Sequence, residues 1–193
     1  KKFFIFEIAN NHMGDINHAF NIIEEFSSMT RDFKEFTFAF KLQFRNLDTF
    51  IHPDYLKRND LHYIKRFQDT KLKIEDFKKI IKKIREKNHK VVITAFDNDS
   101  ISTLHDIDYD YLKIASCSFN DWPLLEDAIT VNKPIILSTA GANISIVDQV
   151  VAFMLHRKKE FALLHCIAEY PTNKISKFNM NRIDLFKNRY SSI

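Results

Sequence analysis

The chain has 193 residues, enough for one domain with a sizeable core and too few for two comfortable ones. Hydrophobic residues make up 45% and charged residues 28%, as in a soluble globular protein, and no apolar run approaches the ~20 residues that span a bilayer. The net charge of +4 is a mild excess rather than a nucleic-acid binder's footprint, and Cys117 and Cys166 form neither a disulfide framework nor a zinc spacing.

Taken in chain order, short apolar runs alternate with helical patterns. Phe3–Ile8 reads as a first strand, too short and too soon interrupted by Glu7 for a signal-peptide core. Asp15 then caps a helix carrying Ile16, Ala19, Phe20, Ile23 and Phe26 on one face. Thr37–Phe44 is the second strand, and Arg45 to Lys73 reads as one long loop over the strand ends. From Lys71 to Lys90 the pattern is an amphipathic helix, with Phe77, Ile80, Ile81 and Ile84 inward and Lys78, Lys79, Lys82, Lys83, Arg85 and Lys87 outward. A solvated face explains those cations better than a nucleic-acid patch, since no aromatic residues interleave them. Val91–Ala95, Tyr111–Ile114, Ile135–Ser138 and Phe161–His165 are four further strands. Pro123 opens a helix with Leu124, Leu125 and Ala128, and Asn143 caps another with Ile144, Val147, Val151, Met154 and Leu155. Met180, Ile183, Phe186 and Tyr190 mark a last helix.

The strands are continuous apolar runs, the signature of a parallel sheet covered on both faces. Six strand–helix units make an α/β protein, either a doubly wound open sheet or a (β/α)₈ barrel. A barrel takes about 250 residues, so six units resemble one that is incomplete.

Polar residues fall late in nearly every strand. The first ends in Glu7, and the second holds Lys41 and Gln43 among Phe38, Phe40, Leu42 and Phe44. The third has Thr94, the fourth Lys113 followed by Ser116, the fifth Ser138 and Thr139, the sixth His165. Ionised groups in apolar surroundings are costly unless paired or serving a ligand. In a parallel barrel the C-terminal strand ends carry the active site. Two lysines with nearby hydroxyls suit a small anion bearing phosphate and carboxylate, with a carboxylate to handle protons. Each has a plainer reading: Glu7 as a structural partner of a lysine, Lys113 as a snorkelling side chain, Thr94 and Ser138 as locally bonded hydroxyls, His165 as a core histidine.

Six runs, EIANNHMGD, FAFKLQF, ITAFD, YLKIAS, KPIILST and LLHCIAEYPT, resemble in order, spacing and strand position those of the sialic acid synthases. That family includes the N-acetylneuraminate, legionaminate and pseudaminate synthases, and the resemblance covers essentially the whole chain. It implies a (β/α)₈ TIM barrel, commonly followed by an antifreeze-like domain that reaches over a partner's site in a homodimer. The implied reaction joins C3 of phosphoenolpyruvate to the aldehyde of an N-acylated mannosamine-type sugar, a carbon–carbon bond-forming transfer that releases phosphate. A divalent metal, manganese or magnesium, would polarise the aldehyde. By motif, Glu7, Lys41 and Lys113 would be catalytic. Lys41, Thr94, Lys113, Ser116 and Ser138 would hold phosphoenolpyruvate, Gln43, Tyr170, Asn11 and His12 would face the sugar, and Asn10, Asn11 and His12 would shape the first loop.

The departures from the family pattern are local. Ser118 stands where an acid often serves the attacking water, Ala168 where Asn or Ser often nears the phosphate, and Ala9, Ala115 and Ala140 where the family has glycines. The family's metal-binding histidines lie in runs expected on strands seven and eight, neither of which is in this sequence. Residues 1–193 are therefore expected to be a partial barrel that neither holds metal tightly nor turns over alone. The expected setting is surface-glycan biosynthesis in a bacterial cytoplasm, with no nucleic-acid or membrane partner. Two alternatives stay open: a non-catalytic relative that binds phosphoenolpyruvate or an anionic sugar, and a metal hydrolase built on His12 and His165.

Overall fold

In a computed structural model, residues 2–169 and 171–191 are described. They form two compact units, Lys1–Asp110 and Tyr111–Ile193, each of which is a three-stranded parallel sheet with its helices.

In the first unit, β1 (Lys2–Glu7), β2 (Phe36–Phe44) and β3 (Lys90–Ala95) lie side by side in chain order. Between them run α1 (Ile16–Met29), the short α2 (Leu47–Phe50), α3 (His62–Asp69) and α4 (Ile74–Glu86), and α5 (Asn98–Thr103) follows β3. Asp15 caps α1 as its position predicts, accepting from the Asn17 N–H at 2.7 Å. The inner stripes of α1 and α4 bury Ala19, Ile23, Ile80 and Ile84 completely, and Phe40 and Leu42 of β2 and Val91 and Ile93 of β3, which share one face of the sheet, are buried as fully. Between α1 and α4, Glu24 bridges Lys83 and Lys87, each at 2.5 Å, and these hydrogen bonds bring its carboxyl down to about 2. Exposed as it is, this pair of bridges adds little stability. The basic face of α4 is a solvated one, with Lys78 and Lys79 pairing Glu75 and Asp76 at 3.2 Å one turn earlier.

Two expectations are corrected here. The segment from Arg45 to Lys73 is not a bare loop, since α2 and α3 lie within it. Nor is β1 covered on both faces, because Phe3 and Phe4 remain 40% and 50% exposed.

In the second unit, β4 (Tyr111–Ile114), β5 (Ile135–Ser138) and β6 (Phe161–Leu164) are again parallel and in chain order. They alternate with α6 (Trp122–Ala128) and α7 (Ile144–His156), and α8 (Asn181–Arg189) comes last. Strand β5 is buried along its whole length, whereas Ala162 and Leu164 of β6 are exposed. Asn143 caps α7 through the Ile146 N–H at 2.9 Å, and Asp121, unforeseen, caps α6 through the Leu124 N–H at 3.3 Å. Arg189 clamps Asp148 of α7 through two bonds of 2.7 and 2.8 Å, and the Tyr190 hydroxyl donates to the same carboxylate at 2.8 Å. Strand, helix and parallel pairing recur in the order of a (β/α)₈ barrel, six strand–helix units of which are described.

The best-tied polar group of the first unit is Asp110. It accepts from the Val91 N–H at 2.7 Å, from Lys90 at 2.9 Å and from Arg85, which also holds Asp108 at 2.8 and 2.9 Å. Burial alone would raise its pKa, but the Val91 N–H, Lys90 and Arg85 outweigh it and hold the carboxyl below its usual range. Asp110→Ala leaves the Val91 N–H and the Arg85 guanidinium short of a partner. The expected cost is roughly 2 kcal/mol, read from the urea unfolding midpoint at unchanged m-value.

Candidate active site

Strand register assembles the first unit's polar set. Glu7 lies opposite Lys41, and Gln43 lies opposite Thr94. Lys41 and Gln43 are two residues apart and so point to the same face, which puts all four side chains there. Lys41 is only 7% exposed, and its ammonium is held by the Glu7 carboxylate, with the Thr94 hydroxyl 3.5 Å away. Glu7 itself is 46% exposed, so the ion pair is open at one end. An incoming anion could compete with Glu7 for the ammonium without being buried beforehand. Thr94 is fully enclosed, and its hydroxyl accepts from the Lys41 ammonium.

The chain after β1 turns sharply beside this pair. The Ile8 and Ala9 N–H groups both donate to the Lys41 carbonyl, at 3.1 and 3.4 Å. Ala9 adopts φ 48°, a left-handed conformation that glycine takes at least cost. Ala9 thus carries strain of its own, whereas Ala115, at φ −70°, needs no glycine. Asn11 is exposed, whereas His12 is 2% exposed and accepts the Gly14 N–H on Nδ1 at 3.1 Å. Burial, aided by the nearby His18 charge, lowers its pKa and keeps the ring neutral. Gly14, at φ +76°, is required, because a Cβ there would stand 2.7 Å from the Asp69 carbonyl oxygen.

A small pocket of about 40 Å³ opens beside the set, lined by Asn10, His12, Gln43, Arg45 and Lys71 among others. Arg45 was not singled out from the sequence. Its Nη2 donates to Gln43 Oε1 at 2.9 Å, and its guanidinium lies over the rings of Phe96, Phe67 and Phe50. The available signal was an arginine closing a strand whose preceding inward residues were Lys41 and Gln43. Asp97 of the ITAFD run serves structure, accepting the Asn46 N–H at 2.9 Å and the Ser100 N–H at 2.7 Å.

In the second unit Lys113 lies opposite Ile136, so Lys113 and Ser138 share a face of that sheet, Ser138 being 3% exposed. Ser116 is half-buried in the turn after β4. Thr139 is committed elsewhere, its hydroxyl donating to the Leu164 carbonyl at 3.0 Å. Ser118 is buried, with its Oγ 3.8 Å from Cys117 Sγ. His165 follows β6 rather than ending it, with Nε2 2.7 Å from the Phe178 carbonyl oxygen. Tyr170 lies outside the described residues. Among the described residues no three His, Cys, Asp or Glu side chains gather as a metal would require. No described helix is long and apolar enough to cross a membrane.

Comparison with known proteins decides the lineage, since the NeuB family matches residues 37–193. The chain belongs to the NeuB family. It is 28% identical to the N,N'-diacetyllegionaminic acid synthase of Campylobacter jejuni over 98% of this chain and 58% of that protein. A Chromobacterium violaceum structure assigned to spore coat polysaccharide biosynthesis protein E superposes at TM-score 0.95 with 42% identity, over all of this chain and 57% of that one. The N-acetylneuraminic acid synthetase of Leptospira borgpetersenii, solved with citrate, gives TM-score 0.81 and 28% identity over 98% of this chain and 62% of that one. The chain thus spans little more than half the length of these NeuB relatives.

Two outcomes follow from the loop after β1. Ala9→Gly relieves the left-handed alanine against glycine's larger chain entropy, and a gain of roughly 0.5–1 kcal/mol is expected by chemical denaturation. His12 binds a proton less readily folded than unfolded, so stability falls as pH drops below the unfolded value of about 6.5. His12→Asn keeps a short acceptor for the Gly14 N–H and cannot titrate. The unfolding midpoint of that variant should decline less between pH 7.5 and pH 5 than the parent's.

Proposed function

We propose that this chain carries the catalytic barrel portion of a nonulosonic acid synthase. The reaction condenses phosphoenolpyruvate with an N-acylated mannosamine-type sugar. C3 of phosphoenolpyruvate bonds to the sugar's aldehyde carbon, water adds at C2, and C–O cleavage releases phosphate. The observation that carries this reading is the buried Lys41 ammonium between Glu7 and Thr94. NeuB family membership, with relatives named as legionaminic acid and N-acetylneuraminic acid synthases, supplies the substrate class.

Each residue has a role fitting its setting. Lys41 holds phosphoenolpyruvate as a point charge, with the Thr94 hydroxyl as a second donor. Glu7, half exposed and released as the anion takes over the ammonium, moves a proton at the sugar. By family motif, Lys113, Ser116 and Ser138 are assigned to phosphoenolpyruvate as well, and Gln43, Asn11, His12 and Tyr170 to the sugar. A divalent metal and a homodimer belong to this proposal through the family alone; when bound, the metal would polarise the sugar aldehyde. The alternative of a binding-only relative is favoured by Ser118, a buried serine where the family often has an acid.

Phosphate release from phosphoenolpyruvate with manganese, given N-acetylmannosamine or a diacetamido hexose, tests the reading in the protein as encoded. Release is expected, and Lys41→Ala should lower kcat/KM on the order of 100-fold or more. An unchanged rate in that variant would refute the role of Lys41. Calorimetric binding of phosphoenolpyruvate with no release from any such sugar would favour the binding-only relative.

A further inference from the structure

Arg45 leaves β2 two residues after Gln43 and enters a cage made by three separate segments. Its guanidinium carbon stands 3.8 Å from the ring centre of Phe96, 4.6 Å from that of Phe67 and 5.8 Å from that of Phe50. These rings come from just beyond β3, from α3 and from α2. A planar, weakly hydrated cation stacked this way is nearly immobile and loses little further freedom on making a hydrogen bond. The bond it makes is from Nη2 to Gln43 Oε1, at 2.9 Å.

The direction of that bond is not a matter of choice. A guanidinium has five donors and no acceptor, so only the oxygen of the Gln43 amide can face it. An untethered glutamine can turn over and offer either its oxygen or its NH₂. Tied by Arg45, Gln43 keeps its oxygen turned to the guanidinium and so presents the two N–H donors of Nε2 to whatever enters the pocket it lines.

We propose that Arg45 is a positioning residue that fixes the Gln43 amide so that its N–H donors read the sugar. The group Gln43 recognises is therefore an acceptor oxygen, a hydroxyl or an acyl carbonyl, and not a donor such as a free ammonium. This rests on the function proposed above; nothing in it requires Arg45 to touch substrate.

Steady-state kinetics on the protein as encoded separate this role from simple support of the fold. Arg45→Met keeps bulk among the three rings and removes the donor, while Gln43→Glu keeps an acceptor for Arg45 and removes the N–H groups. Each is expected to raise the KM for the amino sugar roughly tenfold, the size of one directed hydrogen bond, with the KM for phosphoenolpyruvate within twofold of the parent. The double variant should be no worse than the poorer single one, because both changes delete one device. An unchanged sugar KM in Arg45→Met, equal increases in both KM values, or additive losses would each overturn the role. Should no sugar support phosphate release, the proposed function fails while the clamp is still measured directly. The Gln43 side-chain NH₂ resonances, assigned by their loss in Gln43→Glu, should be dispersed in the parent and collapse to solvent-like shifts in Arg45→Met. Solvent-like shifts already present in the parent would sink the clamp whatever the activity.

Discussion

A lysine ammonium on the middle strand of the first unit, flanked along the chain by the fully buried Phe40 and Leu42, is the constraint around which that unit is arranged. Its alternation is right for a strand: Phe40 and Leu42 point to one side, Lys41 and Gln43 to the other. A slip of one residue would bury Lys41 among the helices and expose Phe40, so the ion pair with Glu7 and the hydrophobic pattern specify the same register. The loop after β1 depends on it too, because the Ile8 and Ala9 N–H groups both close on the Lys41 carbonyl.

That arrangement is kept by ties far from the pocket. Asp110, Arg85 and Lys90 fix the start of β3 from below, through one carboxylate that satisfies the first buried N–H of the strand. Asp97 fixes the other end, linking the residue after Arg45 to the cap of α5. The side chains between these two anchors, Thr94 above all, are therefore held by backbone that is bonded at both ends. In the second unit α8 is moored to α7 by Asp148 in the same fashion, a carboxylate receiving Arg189 and Tyr190 together. Breaking the Asp110 bonds costs more than their net worth in solution suggests, because the partners left behind are part-buried.

NeuB membership and the geometry contribute different things to the functional reading. Membership supplies the reaction class. The geometry supplies a cation that is buried yet reachable, since its carboxylate partner is half exposed. It also turns the Gln43 amide oxygen toward Arg45, beside Asn10 and the inward-turned His12. Ser118 is buried and has no charge to offer.

Period and punctuation in the sequence were enough to place all six described strands within a residue or so, to cap α1 with Asp15 and α7 with Asn143, and to single out Glu7, Lys41 and Thr94. These are local quantities: alternation, the spacing of apolar residues, and the cost of a charge inside an apolar run. Tertiary structure alone decided that Glu7 is the residue opposite Lys41, that His12 turns inward, that β1 keeps two exposed phenylalanines, and that α2 and α3 fold within the segment after Arg45. The same holds for the cage around Arg45, whose rings at positions 50, 67 and 96 share no period or spacing. Contacts between segments so far apart are set by strand register and by where a long connection comes to rest, and neither is written in any local stretch of chain.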